Sequence, residues 1–343
     1  MKYYSLNQYL QDAFGEKLYK IAINAGFTCP NRDGTLGTRG CIFCSGSGSG
    51  DFAEASSLSV TEQIEKGKAR VEKKFRGSRY IAYFQAFTNT YAPVSHLREL
   101  FTEAIRHPDI AVLSVATRPD CLPDEVIALL AELNQEKPVW VELGLQTIHE
   151  KTAEYIRRGY RLPVYDDAVR RLKEAGLSVI THVILGLPGE TPEMMKATVR
   201  HVVQTSEVYD RKEFAAPDGI KLQLLHVLEG TDLAGAYRNG EFEVMTLDQY
   251  TKLVCECLAL LPEGFVVHRM TGDGPKRLLI EPQWSADKKR VLNSLNAAIR
   301  AYEPDAKNDP GMYNELSGSV PLLARVERQA VGLNQASAAA KEV

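Results

Sequence analysis

Three cysteines, Cys29, Cys41 and Cys44, stand on one short stretch and make up half of the six in the chain. Gly, Asn, Asp and Thr dominate the interval between Cys29 and Cys41, so the stretch reads as a loop that carries thiols rather than a helix or strand. Thiols gathered in this way point to a metal. A structural zinc site closes its tetrahedron with four Cys or His ligands, typically as two close pairs. The loop offers one close pair, Cys41 and Cys44; Cys29 and a distant residue such as His96 would have to complete the set, with no second CxxC or HxxxH in the chain. An iron–sulfur cluster suits the count better, because a four-iron cube held by three cysteines leaves one iron open to a small ligand.

Such a loop needs a scaffold. Residues Tyr19 to Asn24, YKIAIN, read as a strand that delivers the chain into the loop, which puts the thiols at a strand's C-terminal end. Further strands are expected at 80–87, 110–116, 139–145, 178–185 and 220–227, separated by helices at 61–75, 95–107, 123–133, 165–175 and 191–206. Strand and helix thus alternate about six times, which calls for an α/β fold with a parallel sheet and helices outside it. An open six-strand barrel and a full eightfold one both satisfy the pattern, and in either ligands gather at the C-terminal ends of the strands. A helix at 247–261, a short strand at 264–269 and a closing helix at 285–302 follow. The chain divides accordingly into an N-terminal extension (1–18), a barrel (19–230), helices and a short strand packing on it (231–304), and a tail (305–343) to which no role is assigned.

With 343 residues, 44% hydrophobic and 25% charged, the composition is that of an ordinary soluble chain. No apolar run reaches the roughly 20 residues that a bilayer crossing needs, and the N-terminus lacks a signal peptide's apolar centre. Six cysteines in a chain this long are not a disulfide framework, so a reducing, cytoplasmic location is expected. The net charge of −3 gives no overall attraction to nucleic acid. A local candidate is 66–79, KGKARVEKKFRGSR, with seven basic residues against one acidic; it is either a surface for a polyanion or a solvated helix face. The Ser/Gly run from Ser45 to Asp51 is either a flexible linker or a place where backbone comes close to a bound group.

Polar residues mark the other strand ends. Gln85, Thr88 and Asn89 follow the second strand, where the plain reading is that they cap it. Arg118 leaves the third strand with a planar fork suited to a carboxylate or phosphate. On the fourth, Glu142, Gly144 and Gln146 share one face, and a carboxylate buried there requires a partner. Gln223 and His226 differ by three and so face opposite sides of a regular strand. Cys255 and Cys257 read as core thiols, Cys121 is unassigned, and no second cluster is expected.

In its long first cysteine interval, the sequence resembles the radical-SAM proteins of the YtqA/YhcC subgroup, relatives of the elongator catalytic subunit, from about Tyr4 to about Arg300. The stretch from Glu142 to Thr147 is similar to an E-x-G-x-Q-[ST] pattern of elongator-like relatives, and Gly186 to Glu190 matches a Gly-Leu-Pro-Gly-Glu signature. The resemblance implies a partial (β/α)6 radical-SAM barrel with N-terminal and C-terminal extensions. It implies a [4Fe-4S] cluster on Cys29, Cys41 and Cys44, with S-adenosyl-L-methionine on the open iron and cleaved to a 5′-deoxyadenosyl radical. Phe43, Gln85, Thr88, Asn89, Glu142, Gln146 and Gly186 are the cofactor-binding positions that it implies; the many relatives with a Gly-Gly-Glu turn after the second strand have no counterpart here. The substrate implied is transfer RNA, with the carboxymethylaminomethyl group of a thiolated wobble uridine converted to aminomethyl, and a flavodoxin or ferredoxin as electron donor. A radical enzyme of a small metabolite or peptide, and a non-enzymatic zinc or iron–sulfur protein, are the alternatives.

Overall fold

The computed structural model describes residues 1–48, 50–73, 75–204, 218–272 and 274–303. The tail from 305 onwards lies outside them, as does the expected end of the helix at Ser206. Six strands rich in β-branched and aromatic residues carry the fold: β2 (Tyr19–Ile23), β3 (Tyr80–Phe84), β4 (Ile110–Thr117), β5 (Val139–Gln146), β6 (Ser178–Leu185) and β7 (Gly219–Leu224). Between them run α2 (Val60–Val71), α3 (Val94–Arg106), α4 (Asp124–Leu133), the pair α5 (Glu150–Tyr155) and α6 (Leu162–Glu174), and α7 (Pro192–Val203). Local chemistry sets the helix starts. Ser59 and Glu62 form a reciprocal cap on α2, and Thr191 caps α7 ahead of Pro192.

All neighbours in this sheet are parallel, and β1 (Tyr4–Ser5) and β9 (Val266–Arg269) extend it beyond β7 to eight strands in the order β1-β9-β7-β6-β5-β4-β3-β2. The expected α/β half-barrel is present, with two more strands in its sheet than the alternation alone shows. Its curvature is visible in one contact: Lys20 from β2 and Lys221 from β7 both reach Glu142 on β5, which side chains so far apart in the sheet can do only from a concave face. Below that level, α1 (Leu6–Phe14) closes the lower end, where Leu10 packs with Ile81, Val112, Trp140 and Ile180.

Two expected strands are shorter than the sequence suggests. The second stops at Phe84 because Phe87 turns into the left-handed region, φ 60°, and donates its N–H to the Gly48 carbonyl. The sixth breaks after Leu224, and Val227–Leu228 (β8) pairs instead with Leu279–Glu281 (β10) in a small antiparallel sheet. Three further helices, α8 (Asp232–Arg238), α9 (Leu247–Leu258) and α10 (Lys288–Ala301), follow β7 in the chain; α9 packs on both α7 and α10.

Candidate active site at the cysteine loop

The loop between β2 and α2 is held by its own turns. Arg32 and Asp33 donate to the Cys29 carbonyl, Leu36 to Pro30, Gly40 to Asn31 and Cys44 to Cys41. Backbone bonds tie it to α5 and α8: Ile42 donates to Ile156 at the end of α5, and Leu233 of α8 donates back to Ile42. Ile42 and Phe43 thereby join a small apolar cluster with Ile156, Leu187 and Leu233. The Arg32 guanidinium spans the carbonyls of Cys44 and Ser45 at 3.0 and 2.7 Å. Asn31 donates its amide to Cys41 Sγ at 3.3 Å and to the Arg157 carbonyl at 2.6 Å. At Gly159, with φ +85°, a Cβ would lie 2.8 Å from Asn31 Oδ1, so only glycine leaves Asn31 in place.

Burial pushes the Cys41 thiol up to about 11, with the charges of Cys44 and Cys29 adding to it, and raises that of Cys44 as well, where Cys29 and Asp51 add to it. A metal ligand must be a thiolate, and the positive charge of a metal centre is what reverses such a shift. A single tetrahedral ion with sulfur bonds of about 2.3 Å would draw its thiolates to within about 4 Å of one another. Among the described residues, no three cysteine sulfurs lie within 4.8 Å of one another.

The Ser/Gly run is a packed turn in its described residues. Gly48 donates to Ser45, Ser45 Oγ lies 3.1 Å from Asp51, and a Cβ on Gly48 would be 2.4 Å from the Phe87 ring. In the segment after β3, Asn89 is fully buried; its amide donates to Ala116, while its Oδ1 accepts nothing. Gln146, at φ 68°, likewise holds a buried Oε1 without a donor, its amide filling the space that a Gly144 side chain would need. Thr88 is buried behind a bond from its N–H to Thr28, and Gln85 is half-buried beside it. Gly186 turns at φ 93° against Met245, with its N–H 3.0 Å from Met195 Sδ. Unsatisfied buried acceptors are rare, and these two, at the same end of the parallel sheet as the thiol loop, fit a ligand bearing ammonium or hydroxyl donors, as S-adenosylmethionine does.

Arg118 meets a carboxylate, but an internal one: it forks onto Asp120 at 2.9 and 2.7 Å and lies over the Tyr160 ring. Glu142 answers its need for partners within the protein. Its Oε1 accepts from Lys20 at 2.7 Å and Ser114 at 2.8 Å, and its Oε2 from His182 at 2.7 Å and from Lys221. Burial alone would raise its pKa, yet Lys20 and Lys221 together bring it well below the carboxylate range. Burial, followed by the charge of Lys221, lowers His182 to about 4, so the imidazole is neutral, and its Nδ1 lies 3.2 Å from the Gln223 amide. His268 on β9 is also pushed down by burial. The sequence singles out Glu142 without showing these lysines, which lie 122 and 79 residues away.

The basic stretch at 66–79 is neutralised in part, at three of its seven basic residues. Lys68 pairs with Glu65 and Asp109, Arg70 with Glu54, and Arg79 with Glu16; Lys74 lies outside the described residues. Cys255 and Cys257 are buried core thiols, as expected. No helix among the described residues is long and apolar enough to cross a membrane.

Comparison with known proteins agrees with this geometry. The model of the Radical SAM superfamily matches residues 31–202, and that of the Radical_SAM C-terminal domain matches 217–301. YtqA of Bacillus subtilis (strain 168) is 45% identical over 298 residues, 87% of this chain and 89% of its own length. Protein YhcC of Escherichia coli (strain K12) is 37% identical over 290 residues, 84% of this chain and 89% of its own. A tRNA uridine(34) acetyltransferase of Methanocaldococcus jannaschii is 27% identical over 179 residues, 52% of this chain and 31% of that protein. Among solved structures, the Elp3 of Methanocaldococcus infernus superposes with a TM-score of 0.58 at 18% identity, over 82% of this chain and 63% of that one, a likeness of fold. Thiol loop, half-barrel and relatives coincide, and the chain belongs to the radical SAM superfamily, in the subgroup of YtqA and YhcC.

Proposed function

We propose that Cys29, Cys41 and Cys44 hold a [4Fe-4S] cluster with S-adenosylmethionine on its open iron, and that the enzyme acts on transfer RNA at the wobble uridine, converting a carboxymethylaminomethyl group to aminomethyl. The carrying observation is a loop of three half-buried thiols at the same end of the parallel sheet as two buried acceptors without donors, Asn89 Oδ1 and Gln146 Oε1. When bound, cluster and cofactor supply reductive cleavage of the sulfonium and abstraction of hydrogen from the substrate. The protein's own residues bind and shield. Asn31 and Arg32 fix the loop, Asn89 and Gln146 take the donors of the cofactor with Thr88 and Gln85 at their side, and the Gly186 turn and Phe43 offer apolar backbone and ring surface. Glu142 is left out of this set because its oxygens are already occupied.

Support for the substrate comes from the more distant relatives named tRNA uridine(34) acetyltransferases. Next to the cysteine loop an open hollow of ≈ 550 Å³ is bordered by Arg39, Arg157 and Arg161, with Glu150 and Glu154 reducing the surplus. The electron would come from a flavodoxin- or ferredoxin-type protein. Formation of 5′-deoxyadenosine by anaerobically reconstituted, reduced protein, with and without transfer RNA from cells lacking the gene, tests the reading. Product that rises with that RNA, together with aminomethyl nucleoside in its digest, is expected. Product indifferent to the RNA would move the substrate to a small metabolite or peptide, and stoichiometric zinc without sulfide would remove the radical chemistry.

A further inference from the structure

Across the concave face, one level above the α1 plug, Lys20 and Lys221 both donate to Glu142. Among the described residues neither lysine has a second carboxylate; Lys221 finds only the Tyr83 hydroxyl at 3.1 Å, and both ammonium groups sit over the Tyr83 ring at 4.7 and 4.5 Å. Arg269 of β9 adds positive field to the same place. One carboxylate therefore faces two amines, the part-exposed Lys20 and the buried Lys221, whose pKa burial pushes well below the usual lysine range, and the neutral His182 and Ser114 that complete its shell bring no charge. An uncompensated buried cation is costly, whereas an anion brought to it would be bound with little competition from water.

The strand positions above this floor are uncharged. Side chains alternate along a strand, so the next inward residues towards the mouth are Ala22, Gln85, Ala116, Gly144, Ile184 and Gln223. Three of these are Ala or Gly, and none is ionic. Lys20, with 22% of its side chain exposed, is the cation that a ligand can reach, and Lys221, at 4%, stands behind it.

We propose that this floor is an anion subsite: Lys20, backed by Lys221, receives the carboxylate of a substrate side chain that enters from the strand ends. Resting on the function proposed above, the assignment gives that carboxylate to the carboxymethylaminomethyl group, whose aminoacetate end would hang below the cofactor level. Lys20 is then a specificity-determining residue, and it selects the acid over its neutral isostere.

The test compares RNA carrying the acid with RNA carrying the corresponding carboxamide, using the reconstituted holoenzyme. A charge-assisted hydrogen bond lost on going to the amide should lower kcat/KM about tenfold or more. Lys20→Met should bring the two substrates within about twofold of each other, and Lys20→Arg should restore the preference. Cluster absorbance and melting temperature report on folding, and the wild-type ratio stands without any variant. A second arm titrates cofactor-free protein with sarcosine, which carries the same aminoacetate, and reads the fluorescence of Trp140, whose ring lies 5.6 Å from Lys20 Nζ. A saturable change in the wild type that is lost in Lys20→Met is expected. Conversion of both RNAs at equal rates would overturn the subsite while leaving the RNA reading intact. No conversion of either RNA, with sarcosine still bound through Lys20, would overturn the RNA reading and leave the subsite, and failure in both arms removes both.

Discussion

Cys44 and Gln146 test the site at the scale of single atoms. Removing one thiol leaves too few ligands for the cube, so Cys44→Ala should lose the cluster's visible absorbance and all cleavage of S-adenosylmethionine; retained cleavage would refute the ligand set. Gln146→Leu removes the buried Oε1 that lacks a donor. Without a ligand the change should be neutral or mildly stabilising in a melt, because an unsatisfied polar atom disappears. With the cofactor it should weaken binding by about tenfold, measured by equilibrium dialysis, since a hydrogen bond to a charged or hydroxyl donor is lost. His182 makes the floor sensitive to acid. Its pKa is about 4 in the folded state, against about 6.5 for an unfolded imidazole, so between these values the unfolded chain takes up a proton that the native state refuses. Stability should fall as the pH drops through that window, by about 3 kcal/mol for this group alone. Glu142, depressed in the fold, extends the loss to still lower pH, as its native contribution is present above the unfolded pKa and disappears below it. Denaturant melts from pH 7 to pH 4 give the slope, and His182→Gln should flatten it above pH 4.

At the scale of elements, the turn at 45–51 and the end of β3 stabilise each other. Gly48 has φ +58° and no room for a Cβ beside Phe87, so Gly48→Ala should cost about 2 kcal/mol or more and loosen the loop that carries Cys44. A fall in melting temperature together with lower iron content after reconstitution is the expected result, and unchanged values of both would contradict it. Elements of this kind were only partly legible in the sequence. Alternating strands and helices from Tyr19 to Leu224 stood out because each has its own periodicity and caps. The α1 helix carried equally local signals, Ser5 as its N-cap and Gly15 at φ 72° as its stop, yet sits in a stretch read only as an extension. Strands β8 and β10, of two and three residues, are too short for any period to show.

On the scale of the whole molecule, what the sequence hides is contact over distance. Glu142 could be recognised as a carboxylate in need of a partner, but Lys20 and Lys221 become its partners only once the sheet curves. The basic stretch at 66–79 looks like a surface for RNA until Glu16, Glu54 and Asp109, all from outside it, neutralise three of its residues. The cysteine loop was the most legible feature since its three thiols are close in sequence.

The pairing of β1 with β9 places Tyr4 beside Val266, and the Met1 ammonium donates to the Ile299 carbonyl at 3.3 Å. On a ribosome the first strand would therefore leave the exit tunnel long before its partner exists, and α1 would have no completed sheet to dock against. The lower end of the barrel is thus the last part to be sealed in synthesis, a closure of high contact order that sets the folding rate. In pulse-labelled hydrogen exchange during refolding, amides of 4–14 should gain protection together with those of 266–269, and later than those of β3 to β6.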